Sequence, residues 1–192
     1  KYANNSFLAT KISFINQLSN ICQNIPGTNI DDVAKIIGLD PRIGKLFLNA
    51  GPGYGGSCLP KDISALINFA DKIGVNPLLL NAVKKTNHEQ VNNIVSLMKK
   101  ILGNITSKRI TILGTAFKPN TDDVRDSKSI ELIKKLLKNK AKITIHDPKA
   151  IESTKKIFGA KILYAKSIAD ALNKSQCGVI MTHWKQYDTL NN

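Results

Sequence analysis

The hydrophobic period of this chain changes once, near residue 104, and that change restricts the fold to a helical part followed by an α/β part. Before it, apolar residues recur in steps of three and four. Leu8, Ile12, Ile15, Leu18 and Cys22 trace one stripe, which predicts a helix from Asn5 to about Asn24 with that stripe as its buried face. Lys1 and Asn5 prolong the stripe towards the start of the chain, so they either fray into solvent or line a pocket. A second, short helix is predicted in "GTNIDDVAKIIGLDP", with the cap-type residues Thr28 and Asn29 in front and Gly38 as its stop. The segment "DPRIGKLFLNAGPGYGGS" has no regular period and reads as a long loop. Pro60 suits the first position of a third helix that Gly74 ends, and Asn76-Pro77 opens a long fourth helix whose apolar face is interrupted by Asn87.

After the change, short β-branched runs alternate with helical stretches. Strands are predicted in "KRITILGTAF", "AKITIHDP", "KILYA" and "CGVIMTHW", with helices between them in "SIELIKKLLKNK", "AIESTKKIFG" and "SIADALNKS". Such alternation is the mark of a parallel sheet. The expected architecture is α/β: an all-helical domain over residues 1–104, joined by the long helix to a Rossmann-like parallel-sheet domain over residues 105–192.

"GPGYGGSCLPKD", residues 51–62, is the stretch with the most chemical content. If Pro60 opens a helix, Cys58 stands at that helix's N-terminus, where unpaired N–H groups and the helix dipole favour a thiolate. Lys61 adds a cation, and Asp62, four residues on, projects to the same side as a base or a group that orients water. The glycines let backbone approach a ligand closely. The plainer alternative is a turn with a small buried cysteine and a capping aspartate. Three cysteines make no disulfide framework, and Cys22 and Cys177 are expected to be buried fillers. His88 and His183 have no partner pattern, His146 in "IHDP" is placed to line a crevice, and none has metal-ligand spacing.

The formal charge of +14 invites a nucleic-acid reading. Only three of the 28 basic residues are arginine, however, and aromatics are 6% of the chain with no stacking cluster, so the expectation is no nucleic-acid partner. A basic field that draws in a small phosphorylated ligand is the milder reading. No apolar run approaches the roughly 20 residues that cross a bilayer, and a cytoplasmic chain with no membrane partner is expected. The loop "LGTAFKPNTDDVRDS" sits where a dinucleotide-binding domain would carry G-x-G-x-x-G, but lacks that fingerprint. Lys118 and Arg125 are its candidates for meeting phosphate, with solvated surface charge as the alternative.

"GPGYGGSCLPKD", "GTAFKPNTDDVRDS" and "KYANNSFLATKISFINQL" together closely resemble segments of the UDP-glucose and GDP-mannose 6-dehydrogenases. The resemblance implies four-electron oxidation of a sugar-nucleotide alcohol to a carboxylate by two NAD molecules in turn, giving UDP-glucuronate from UDP-glucose. It implies that Cys58 forms a thiohemiacetal and then a thioester, that Lys1 and Asn5 hold the developing oxyanion, and that Asp62 assists water. Arg42 matches an arginine that reaches a neighbouring subunit's substrate. Asn49 to Gly55, with Tyr54 between them, match the loop against the sugar nucleotide, and Phe117 and Lys118 match a substrate-contacting pair. Lys61 and Arg125 are the cofactor-side candidates, and no metal is implied. The family's G-x-G-x-x-G domain is missing from this stretch, as are its acidic residues near the substrate. His183 stands where the family has an acidic residue, and a later substrate-binding arginine would fall beyond Asn192. The expectation is therefore a fragment that leaves NAD mainly to another domain, does not turn over alone, and forms a homodimer or larger homo-oligomer. GDP-mannose is the alternative substrate, a UDP-N-acetyl sugar is disfavoured by Ser57 before the cysteine, and a non-catalytic oligomerisation or nucleotide-sugar-binding module is the alternative class.

Overall fold

A computed structural model of the chain describes residues 1–191, which form two compact units, Lys1–Asn93 and a second that begins at Ile94. The first contains α1 (Tyr2–Cys22), α2 (Ile30–Ile37), α3 (Leu59–Lys72) and the leading part of α4 (Leu78–Leu102), so the boundary falls inside α4. Asn29 caps α2 by accepting from the Asp31 N–H at 2.9 Å. The stretch between α2 and α3 is loop, as its Pro and Gly content predicts. Lys11 on α1 tacks it down by donating to the Ile43 and Gly44 carbonyls at 2.9 and 3.2 Å.

The buried face of α1 is only partly the expected one. Ser6, Ala9, Ser13, Ile15 and Asn16 are buried, whereas Leu8, Ile12, Leu18 and Cys22 of the apolar stripe are half-buried. Close packing is the reason. Ala9 meets Ile63 and Ile67 of α3 and Val83 of α4 in one cluster, and the Ser13 hydroxyl donates to the Val83 carbonyl at 3.2 Å. Small side chains bring the helices near enough for such contacts, and larger ones would hold them apart. The helix also begins at Tyr2, earlier than predicted, with Lys1 at its N-cap.

The second unit follows the predicted alternation: β1 (Arg109–Leu113), α5 (Lys128–Lys138), β2 (Lys142–His146), α6 (Ile151–Phe158), a 3-10 turn at Gly159–Lys161, β3 (Leu163–Tyr164), α7 (Ile168–Leu172), β4 (Cys177–Ile180) and a 3-10 segment at Lys185–Asn191. The sheet order is β3-β2-β1-β4, parallel throughout, with Ile112 of β1 opposite both Ile145 and Val179. Every residue of β1 after Arg109 is buried, as a central parallel strand requires. At the C-terminal ends of the strands, Leu113, Ala116, Trp184 and Tyr187 close the core.

Candidate active site

Cys58 is the N-cap of α3, one residue ahead of Leu59, so Pro60 takes the second helical position and not the first. The thiol is exposed, with the Ser57 hydroxyl 3.8 Å from Sγ. One turn later the side chain of Asp62 is fully buried. Two groups hold it there: Lys61 Nζ lies 2.7 Å from Oδ1, and Asn5 Nδ2 donates to Oδ2 at 2.6 Å. The packing of α1 on α3 thus joins Asn5 to the first turn of the cysteine helix. The Lys61 ammonium, then the Asn5 amide, hold the Asp62 carboxyl below the usual carboxylate range despite its burial, and the charge of Lys1 adds to this. Asp62 pushes the Lys61 ammonium up in turn, with smaller contributions from Tyr2 and Cys58. A carboxylate of lowered pKa is a weak base, so the arrangement suits Asp62 to orienting a neighbour or a water more than to taking a proton.

The sign of the pH dependence follows from that direction. Because the Asp62 carboxyl is held below its ordinary value of 3.8, its contribution to stability is complete above that pH and is lost as pH falls through the lower folded value. The melting temperature is expected to drop below about pH 4, and Asp62→Asn is expected to flatten that drop. A variant whose acid limb matches the wild type would show that Asp62 does not couple to folding.

The loop before Cys58 is held by side-chain amides. Asn87 of α4 accepts from the Tyr54 N–H at 2.7 Å and donates to the Tyr54 carbonyl at 3.0 Å. Three residues upstream, the Gly51 N–H donates to Asn16 Oδ1 at 2.7 Å and Gln90 Nε2 donates to the Gly51 carbonyl at 3.0 Å. Asn20 Nδ2 donates to Gln90 Oε1 at 2.9 Å and sets that amide's orientation. Asn87 interrupts the apolar face of α4 because both its amide groups are spent on the loop. Asn16 and Gln90 escape sequence reading, and the spacing of Asn87 and Gln90 on one helical face was the available signal. The Tyr54 ring is buried with Ala9, Ile63 and Val83, and burial pushes its phenol up to about 12. Tyr54 therefore presents to solvent neither its ring nor its hydrogen-bonded backbone. Asn49 is exposed and Gly55 half-buried. Arg42, also exposed, forks onto Asp40 with Nη2 at 2.6 Å from Oδ2.

In the second unit Phe117 and Lys118 follow β1, with the Lys118 ammonium 5.4 Å from the Phe117 ring centroid. Arg125 repeats the Asp-x-Arg fork on Asp123, Nη2 lying 2.7 Å from Oδ2. The residues after β1 do not form a dinucleotide cradle. The Thr115 and Ala116 N–H groups, which would face a pyrophosphate, both donate to Asp147 Oδ2 at 2.6 and 3.1 Å, and Asp147 Oδ1 accepts from Lys149 and Ala150 at 2.8 and 2.7 Å. A cleft of about 810 Å³ opens past the strand ends, lined by Asn120, Pro148, His183, Trp184 and Asp188 among others. His183 is exposed there, with Nε2 2.5 Å from Asp188 Oδ1. His146 does not line it, contrary to expectation: it is buried, its Nδ1 2.9 Å from the Tyr187 hydroxyl, and burial lowers its pKa. Cys22 and Cys177, expected to be buried, are half-buried, and what burial Cys177 has pushes its thiol up. Among the described residues no group of three or more His, Cys, Asp or Glu side chains is placed to hold a metal, and no helix is long and apolar enough to cross a membrane.

These features define a two-unit α/β protein whose helical unit presents a thiol at a helix N-cap beside a buried carboxylate. The central domain of the UDP-glucose/GDP-mannose dehydrogenase family matches residues 1–89, and the UDP binding domain of the same family matches residues 111–192. The chain belongs to that family. It is 45% identical over 193 aligned residues to UDP-glucose 6-dehydrogenase of Rickettsia felis, an alignment covering 100% of this chain and 43% of that protein. It is 44% identical to UDP-glucose 6-dehydrogenase YwqF of Bacillus subtilis, over 96% of this chain and 42% of that protein. A UDP-glucose dehydrogenase from Pyrobaculum islandicum superposes with a TM-score of 0.95 at 38% identity, over 98% of this chain and 43% of that one. The chain thus spans less than half the length of these relatives.

Proposed function

We propose that this chain is the thiol-bearing and nucleotide-sugar-binding part of an NAD-dependent UDP-glucose 6-dehydrogenase. The observation that carries the reading is the exposed Cys58 at the head of α3, one turn from a carboxylate joined to Asn5 and Lys61. The names of the relatives support UDP-glucose as the sugar nucleotide. In this reading the Cys58 sulfur bonds to the aldehyde carbon at the sugar's C6, and water later displaces it from the thioester. The Asn5 amide has a second N–H beyond the one given to Asp62, and the Lys61 ammonium has two more donors, so both remain able to meet a negative oxygen together with Lys1. Asp62, ionised and buried, fixes Asn5 and Lys61 and acts on the water through them. Arg42, Asn49 and Gly55 are the substrate-side candidates of the helical unit, with the buried Tyr54 anchoring their loop. Phe117 and Lys118 are the substrate-side candidates of the sheet unit, and Arg125 is its cofactor-side candidate. NAD, when bound, accepts hydride. Because Asp147 fills the place where this unit would take a pyrophosphate, we assign the cofactor to a part of the protein outside this chain.

We further infer a homodimer formed through the helical unit. Phe7, Phe14 and Ile21, seven residues apart on one line of α1, are 65%, 52% and 52% exposed, an apolar row that calls for a cover. Three free cysteines suit the reducing cytoplasm.

The test is NADH formed per UDP-glucose consumed by the full-length protein, with GDP-mannose in parallel. About two NADH per sugar is expected for the double oxidation. Turnover of GDP-mannose alone would reassign the substrate, and silence with both would favour a binding module.

A further inference from the structure

We propose that Asn16, Asn87 and Gln90 are positioning residues that act through the glycine loop to present the nucleotide-sugar face and Cys58. The inference rests on the reading above for the ligand's identity, and on geometry for the rest. The loop from Gly51 to Tyr54 satisfies four backbone groups on side-chain amides: both groups of Gly51 on Asn16 and Gln90, both groups of Tyr54 on Asn87. Two residues three apart on one helix, Asn87 and Gln90, therefore grip two residues three apart on the loop, and α1 closes the grip from the other side. Four residues beyond Tyr54 comes the N-cap cysteine, whose helix carries Ile63 and Ile67 against the Tyr54 ring. The four-residue stretch Gly55–Cys58 thus spans two anchored points, and moving either one moves the thiol.

Gly53 explains why the grip tolerates no side chain. Its φ is +104°, a left-handed backbone, and a Cβ there would run into Asn87 Oδ1, the atom that receives the Tyr54 N–H. Any residue but glycine would push the clamp open from the loop side. The two Tyr54 groups are buried and must be paired to stay out of water, whereas the two Gly51 bonds are part-buried and fix the entry to the loop. A loop that releases them is solvated and mobile. A sugar nucleotide binding to such a loop would have to order it first, and its affinity would fall.

The experiment uses the full-length protein carrying Asn87→Leu, which keeps the side chain's bulk and removes both hydrogen bonds, with Gln90→Met and Gly53→Ala as variants that disturb the same grip by other routes. Asn92→Ala, on the same helix but without a loop contact, is the control. Three readouts are taken: amide hydrogen exchange at Gly51 and Tyr54, Kd for UDP-glucose by calorimetry, and protection of Cys58 from iodoacetamide by UDP-glucose. All three loop variants are expected to speed exchange at the loop amides by about tenfold or more while helix amides of the second unit stay slow. Kd is expected to rise about tenfold, with protection lost at nucleotide-sugar concentrations that saturate the wild type. If one variant unfolds, the other two carry the result. Unchanged loop exchange and unchanged Kd in folded variants would overturn the proposal. If the wild type does not bind UDP-glucose at all, the functional reading fails, and the exchange data alone still decide whether the amides hold the loop.

Discussion

Cys58→Ser in the full-length protein is expected to lower kcat for UDP-glucose oxidation by at least about a thousandfold, because the covalent route is lost while the site's shape is kept. A serine hydroxyl is a far weaker nucleophile than a cysteine sulfur, and the alkoxide is a poorer group for water to displace from the acyl intermediate. KM should change little, since the sulfur's replacement removes no binding contact of comparable size. Folding should be unaffected within about 0.5 kcal/mol: Cys58 is exposed, and its side-chain contact is the 3.8 Å approach of the Ser57 hydroxyl. Steady-state NADH formation and a melting curve on the same preparation check both halves. Retained turnover would remove the thiol from the chemistry and make the chain's cluster of Asn5, Lys61 and Asp62 a binding feature only.

The largest effect on stability is expected from Asp147→Ala. The Asp147 carboxylate is 3% exposed and receives four backbone N–H groups, those of Thr115, Ala116, Lys149 and Ala150. It ties the loop after β1 to the turn between β2 and α6. Removing it strands several buried donors at once, and a loss of about 3–5 kcal/mol is expected. Urea denaturation followed by circular dichroism measures it. A loss under about 1 kcal/mol would mean that water or a displaced backbone replaces the carboxylate. The Thr115 and Ala116 N–H groups after β1 thus point at an internal anion.

Much of the architecture could be read from residue order. β1 and β2 announce themselves in "RITIL" and "KITIH" because a strand buried on both faces is a continuous apolar or β-branched run, and the turns around them carry the expected Gly, Asn and Pro. Residue pattern also singled out Cys58, Asp62 and Lys61, since a helix start and its dipole are local properties. The face of α1 was legible only in part. Of its two apolar lines, the one through Leu8, Ile12 and Ile15 is the more buried and Phe7, Phe14 and Ile21 are exposed, but beside Ile15 the face actually buried is built from Ser6, Ala9, Ser13 and Asn16. Its logic is close approach and specific hydrogen bonds, neither of which has a period. The grip on Gly51 and Tyr54 is hidden for the same reason: Asn16 and Gln90 are 74 positions apart by their numbers in the sequence, and only the folded unit brings them to one glycine. Asp147 reads in sequence as one more turn aspartate before a proline, and its four donors come from two loops that the parallel pairing of β1 and β2 sets side by side.

The amides that hold the loop are uncharged, whereas the Asn5–Asp62–Lys61 cluster one helical turn past the thiol is ionic. Neutral hydrogen bonds are indifferent to proton concentration over the physiological range and nearly so to dissolved salt, while an ammonium more than half exposed is screened by it. The two halves of one site therefore answer to different solution conditions. Acid or high ionic strength would retune the charge at the head of α3 and leave the shape of the Gly51–Tyr54 loop as it was.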